Sequence, residues 1–148
     1  MARVEIEPPD RVLFSTDVAI RVGDINYGGH LGNDSVLSIA QEARARFLAA
    51  HGLSELDVGG PGIALVDAVV MHRAEGKYGM VLRVDIGAAD VRTRECDLFY
   101  RMTDVATGAE VALVKTGVVC VDYAVRKIVR LPQAFRRLLG VAPGAVAP

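Results

Sequence analysis

Between residues 13 and 22 apolar and polar side chains alternate, with Phe14, Val18, Ile20 and Val22 on one side and Ser15, Asp17 and Arg21 on the other. A period of two sends successive side chains to opposite faces, so this stretch predicts a half-buried strand. After a loop rich in Gly and Asn the period changes. From Ser35 to His51, the residues Val36, Ile39, Ala40, Ala43, Phe47 and Ala50 recur at spacings of three and four, the stripe of one long helix. Asn33, Asp34 or Ser35 stands where a short polar side chain can cap the first turn, and Gly52 where the helix can end.

Strand-like patterns return at 63–73, 80–91, 95–103 and 109–122, the last extending toward Val129. Leu82, Val84 and Ile86 alternate with Arg83 and Asp85, and Asp104 to Gly108 supplies a hairpin turn. The segment from 109 is apolar on both faces, Val111, Leu113, Val119 and Val121 against Ala112, Val114, Val118 and Cys120, which predicts a central strand covered on both sides. Pro132, read as a first helical position, and Gly140 frame a short closing helix with Phe135, Leu138 and Leu139 inward. The order of strand, long helix, four strands and short helix predicts an α+β fold, one helix packed on a five-stranded antiparallel sheet. A single domain over 12–140 is expected, with flexible ends at 1–11, which holds Pro8 and Pro9, and at 141–148.

Composition narrows the class. With 51% hydrophobic residues in 148 and a mean hydropathy of +0.30, so short a chain carries more apolar surface than one domain hides, and a homodimer or a dimer of dimers is expected. The formal net charge of -1 and the lack of a basic run argue against a nucleic-acid partner. No stretch has the length of a membrane span, and the first ten residues lack the pattern of a signal peptide, so a cytoplasmic protein away from membranes is expected. Cys96 and Cys120 have no metal-ligand spacing and read as small buried hydrophobes; no metal is expected.

The chemistry concentrates in the loop before the long helix, Gly23-Asp24-Ile25-Asn26-Tyr27-Gly28-Gly29-His30-Leu31-Gly32-Asn33. An acid, an amide and an imidazole fall within seven positions beside two glycines that let a backbone approach a ligand closely. The helix start adds free N–H groups and partial positive charge, which suit a developing oxyanion. A carbonyl under attack by water needs such donors, together with a group that takes the proton. The same composition also fits an ordinary strand-to-helix connection in which His30 merely bonds the loop.

The run Asp-x-Asn-x-x-Gly-His-Leu-x-Asn, from Asp24 to Asn33, resembles the signature of the hotdog thioesterase superfamily, in its 4-hydroxybenzoyl-CoA thioesterase-like and acyl-CoA hydrolase branches. Further likeness lies in Glu42-Ala43-Arg44 and in Val121-Asp122 followed by Arg126 to Pro132, and the resemblance spans about residues 13 to 139. It implies a hotdog fold, a sheet wrapped around one long central helix, active sites formed between subunits, and hydrolysis of an acyl-CoA with no cofactor beyond the CoA of the substrate. In the first branch an aspartate stands where Asn26 is, and an amide cannot serve as a carboxylate nucleophile or base. In the second an asparagine stands there, which implies that Asn26 orients water or holds the thioester.

The catalytic candidates are accordingly Asn26, His30 and, as proton acceptor, Asp24 or Glu42; Tyr27, Gly28, Gly29 and Asn33 are candidates for substrate binding. Glu42 has a plainer role available, since Arg46 four residues on makes a favourable helical pair. Arg73, Lys77 and Arg83 are candidates for the phosphates of CoA, His51 and His72 read as surface or interface residues, and Asp67, inside an apolar strand, is open between site and interface. Two other functions fit the same fold. Gly23 to Asn26 is also similar to R-specific enoyl-CoA hydratases, which pair an aspartate with a histidine, although the spacing from Asp24 to His30 is one residue longer here. A domain with an amide at position 26 could also bind acyl-CoA without cleaving it.

Overall fold

The computed structural model describes residues 1–141, so the expected flexible tail lies almost wholly outside the described residues. The chain runs β1 (Phe14–Ala19), a single 3-10 turn (Val22–Asp24), α1 (Asn33–Ala50), β2 (Gly62–His72), β3 (Val81–Ala89), β4 (Glu95–Asp104), β5 (Glu110–Asp122), β6 (Lys127–Val129) and α2 (Gln133–Leu138). The strands form one antiparallel sheet in the order β1-β3-β4-β5-β2. The three-residue β6 pairs with Cys120–Asp122, past the point where β4 begins opposite Val119.

The helix stripe and the sheet's inner face make the core. Val36, Ile39, Ala40, Ala43, Phe47 and Leu48 are at most 3% exposed and pack in one cluster with Leu82, Val84, Ile86, Tyr100, Met102 and Val114. The strand register explains that grouping, since Val84 stands opposite Met102, and Tyr100 opposite both Ile86 and Val114, so all point to one side. This is the hotdog arrangement the resemblance implied. As predicted, β5 is buried on both faces, and Cys96 and Cys120 are free and buried. Burial pushes both thiols up, Cys120 to about 12, so neither offers a thiolate near neutral pH.

Several boundaries differ from the sequence pattern. The first strand stops at Ala19, and Val22 is 76% exposed in the 3-10 turn. In the helix Leu48 is buried and Ala50 exposed, a rotation of the stripe at its last turn. The N-cap of α1 is Gly32 and no side chain caps it, because Asn33 is already helical. Pro132 is likewise the N-cap of α2 and not its first residue. The last long strand does not run on to Val129: the chain turns after Asp122, whose carboxylate accepts the Ala124 N–H, and returns as β6. Asp67 is exposed; it follows a bulge in β2 and accepts from Lys115 Nζ and the Gly117 N–H. At the N-terminal side of the domain Pro9 lies against Gly87, and the Arg11 guanidinium donates to the Gly140 carbonyl.

One charged side chain sits inside the core. Arg44, 4% exposed, donates to Glu55 at 2.6 Å and to the Tyr100 hydroxyl at 2.9 Å, and that hydroxyl meets Thr116 at 2.9 Å. Burial opposes the guanidinium charge, but Tyr100 and Glu55 outweigh it and hold the group above its usual range. Since Tyr100 accepts from Arg44, its own proton is free for Thr116, and α1, β4 and β5 are joined by one satisfied chain. Tyr100→Phe strands two buried polar groups at once, so a loss of about 2 kcal/mol is expected in denaturant unfolding. A change below about 0.5 kcal/mol would show that the network contributes nothing net.

Candidate functional site

The loop before α1 is a closed ring of backbone hydrogen bonds. The Gly32 N–H donates to the Asp24 carbonyl at 3.0 Å, the Asn26 N–H to His30 at 2.9 Å, and the Gly29 N–H to Asn26 at 3.1 Å. Leu31, buried at its end, donates to the Gly76 carbonyl at 2.8 Å and so ties the loop to the connection between β2 and β3. Gly76 must be bare there: a Cβ would lie 2.8 Å from that of Leu31 and 3.0 Å from Ile20 Cδ1.

Inside this ring Asn26 Oδ1 accepts the Gly28 N–H at 3.0 Å and the His30 N–H at 3.4 Å. Both partners are donors, so the oxygen must face inward and the amide NH2 must face out. Asn26 is thereby fixed as a hydrogen-bond donor toward anything that approaches the loop. The imidazole of His30 lies over Gly28, where an added Cβ would come within 2.9 Å of its Cε1. Its Nε2 is 3.5 Å from the Glu75 carboxylate, which arrives on the same segment that Leu31 anchors.

The start of α1 lies beside these groups. With Gly32 as cap, the N–H groups of Asn33, Asp34 and Ser35 find no backbone or side-chain acceptor among the described residues. Open donors at the positive end of an 18-residue helix attract a developing negative oxygen.

Two clefts flank the loop. One, of about 420 Å³, is lined by Asn26, His30, Asn33, His72, Arg73 and Glu75, among others. The second, of about 260 Å³, is lined by Asp24, Ser38, Glu42 and Arg46, together with Arg21 and Ile39. The structure therefore brings Asn26, His30 and Asn33 together and sends Asp24 and Glu42 elsewhere. Asp24 is 7% exposed and accepts the Arg21 N–H at 2.8 Å, while Glu42 holds Arg46 at 2.8 Å as the helical spacing allowed. His30 pairs with Glu75, not with Asp24, so the aspartate–histidine pair of the hydratase resemblance is not assembled. Tyr27, Gly28 and Gly29 form the exposed tip of the loop, with the Tyr27 ring fully open.

Five residues of the larger cleft, His72 to Gly76, come from the end of β2 and just beyond. His72 and Arg73 line it, Arg73 with a Glu110 oxygen 3.5 Å away, while Arg83 pairs with Asp85 on β3 outside it. Glu75 escaped sequence reasoning because 45 residues separate it from His30, and only the Leu31–Gly76 bond reveals the pairing. No described helix is long and apolar enough to cross a membrane.

The family model of the thioesterase-like superfamily matches residues 20–139. No curated protein matches. Among solved structures, a 1,4-dihydroxy-2-naphthoyl-CoA thioesterase from Synechocystis is 21% identical with a TM-score of 0.78, covering 86% of this chain and 95% of that one. A gentisyl-coenzyme A thioesterase is 16% identical with a TM-score of 0.74, over 85% and 99% of the two chains. The dynemicin thioesterase is 20% identical with a TM-score of 0.75, over 85% and 94%. At these identities the likeness establishes the shared fold.

Gly28→Ala tests how the loop seats its imidazole. The nearest atoms to an added Cβ are the ring of a side chain 38% exposed and Asn26 Oδ1 at 3.3 Å, so the protein is expected to fold with stability changed by less than about 1 kcal/mol. The His30 ring should move, seen as shifted imidazole resonances in NMR. Resonances identical to wild type would show that the bare Gly28 position is not what seats the ring.

Proposed function

The chain belongs to the thioesterase-like superfamily, and from that membership we propose that it hydrolyses an acyl-CoA to the free acid and coenzyme A with water as the nucleophile. One observation carries this reading: the outward-facing Asn26 amide, the unpaired N–H groups at the start of α1 and the His30 imidazole share one cleft. A thioester carbonyl oxygen placed between the amide and the helix start would meet donors already oriented. Negative charge growing there is stabilised without reorganisation. His72, Arg73 and Lys77 lie at or next to the cleft and suit the phosphates of the CoA moiety.

The chain is proposed to work as a homodimer or a dimer of dimers. β2 is an edge strand of 11 residues, with Leu65 45% and Val66 60% exposed beside the bulge. An edge of that length with exposed aliphatics is a surface for pairing with another copy. Two buried free thiols accord with a reducing compartment, and action in the cytoplasm is part of the proposal.

Free-thiol release over a panel of aliphatic and aromatic acyl-CoAs tests the reaction. Asn26→Ala is expected to lower kcat/KM by about 100-fold, the scale of one lost oxyanion donor. Because the loop is exposed, it should cost only about 1 kcal/mol of stability. Wild-type turnover in that variant would remove Asn26 from the mechanism, and tight acyl-CoA binding with no thiol released would favour a binding protein. Sedimentation should give a mass of at least twice the 15.8 kDa chain; a monomer at micromolar concentration would refute the assembly.

A further inference from the structure

Hydrolysis needs a proton acceptor, and the two carboxylates singled out in the sequence are poorly placed to be it. Asp24 is bound into the 3-10 turn and opens on the smaller cleft, and Glu42 is held by Arg46 on the same side. Within the larger cleft the groups able to accept a proton are His30, His72 and Glu75. Of these, His30 and Glu75 form a pair. The Glu75 carboxylate has no hydrogen bond and no other ion pair among the described residues, and the neighbouring Arg73 turns to Glu110.

We infer that His30 is the base that activates water, and that Glu75 is the positioning residue that holds its imidazole in the productive tautomer. The inference rests on the thioester-hydrolase reading of this cleft. With Nε2 3.5 Å from the Glu75 oxygen, the carboxylate favours the tautomer protonated on Nε2, which leaves Nδ1 unprotonated and without a hydrogen-bond partner among the described residues. Three constraints hold the arrangement: the bare Gly28 under the ring, the His30 N–H on Asn26 Oδ1, and the Leu31–Gly76 bond that fixes the neighbouring segment. The Glu75 side chain is 63% exposed and that of His30 38%, so the pair gains strength when bound substrate or a second subunit excludes water.

The step balances with water as the sole co-reactant. His30 Nδ1 takes a proton from water as the water oxygen bonds to the thioester carbon, and the carbonyl electron pair moves onto oxygen. The tetrahedral species then re-forms the carbonyl and breaks the C–S bond. The proton on Nδ1 passes to the departing sulfur, giving acid and free thiol. Glu75 stays ionised throughout and stabilises the transient imidazolium.

A double-mutant cycle on the full chain, read by thiol release, tests the pair. His30→Ala should lower kcat by about 100-fold, and Glu75→Gln, which keeps the shape, by about 10-fold with KM little changed. In the His30→Ala background Glu75→Gln should have no further effect, because its action passes through the imidazole. Imidazole 15N shifts give a readout independent of turnover: the Nε2–H form should dominate in wild type and give way to a mixture in Glu75→Gln. An undiminished kcat in either single variant overturns the inference, as does an equal loss from Glu75→Gln in both backgrounds. If wild type releases no thiol from any acyl-CoA, the hydrolase reading fails and the pair's role with it. Release that survives both substitutions sinks the pair alone.

Discussion

The placement of the loop before α1 depends on one backbone hydrogen bond, from the Leu31 N–H to the Gly76 carbonyl. It joins two connections that are remote in sequence, the one entering α1 and the one leaving β2. Burial of Leu31 and the bare α-carbon of Gly76 let the strands of chain approach so closely. With that seam closed, the helix starts at Asn33 with its first N–H groups open, and His30 and Glu75 are brought to one place. The core beneath, α1 against the inner sheet face with Arg44 satisfied inside it, supplies a rigid base from which the loop projects.

The two clefts divide the loop's polar residues by their direction. Asp24 looks back toward β1 and the outer part of α1, where it closes a turn; Asn26, His30 and Asn33 look toward the end of β2. A segment of ten residues thus does structural work on one side and presents donors on the other. Mere nearness in sequence would have merged the two groups.

The architecture was legible because its signals are periodic and local. The alternation in Leu82, Val84 and Ile86 and the stripe from Val36 to Phe47 each reflect burial on a single face, and the structure buries those residues. Two of the misread strand ends have one cause: an apolar residue past the element's end continues the period although the strand has stopped. Val22 prolonged β1 on paper in this way, and Val129 prolonged β5. Strand pairing was beyond the pattern, so nothing in residues 63–73 announced that β2 would sit at an edge beside β5. At the site, the glycines, the amide and the imidazole stood out because they crowd one loop. Glu75 did not, since a lone acid in a Gly- and Lys-containing connection looks like solvated surface until the tertiary contact is known.

The inward-facing oxygen of Asn26 has a wider implication. An aspartate would accept the same two backbone N–H groups and leave the ring of hydrogen bonds intact, while the outer atom changed from donor to acceptor. Exchange of a single nitrogen for oxygen would then invert what the loop offers a guest at almost no cost in folding. A scaffold with that property can drift between two chemistries through one codon change, keeping its shape while its reactivity is rewritten.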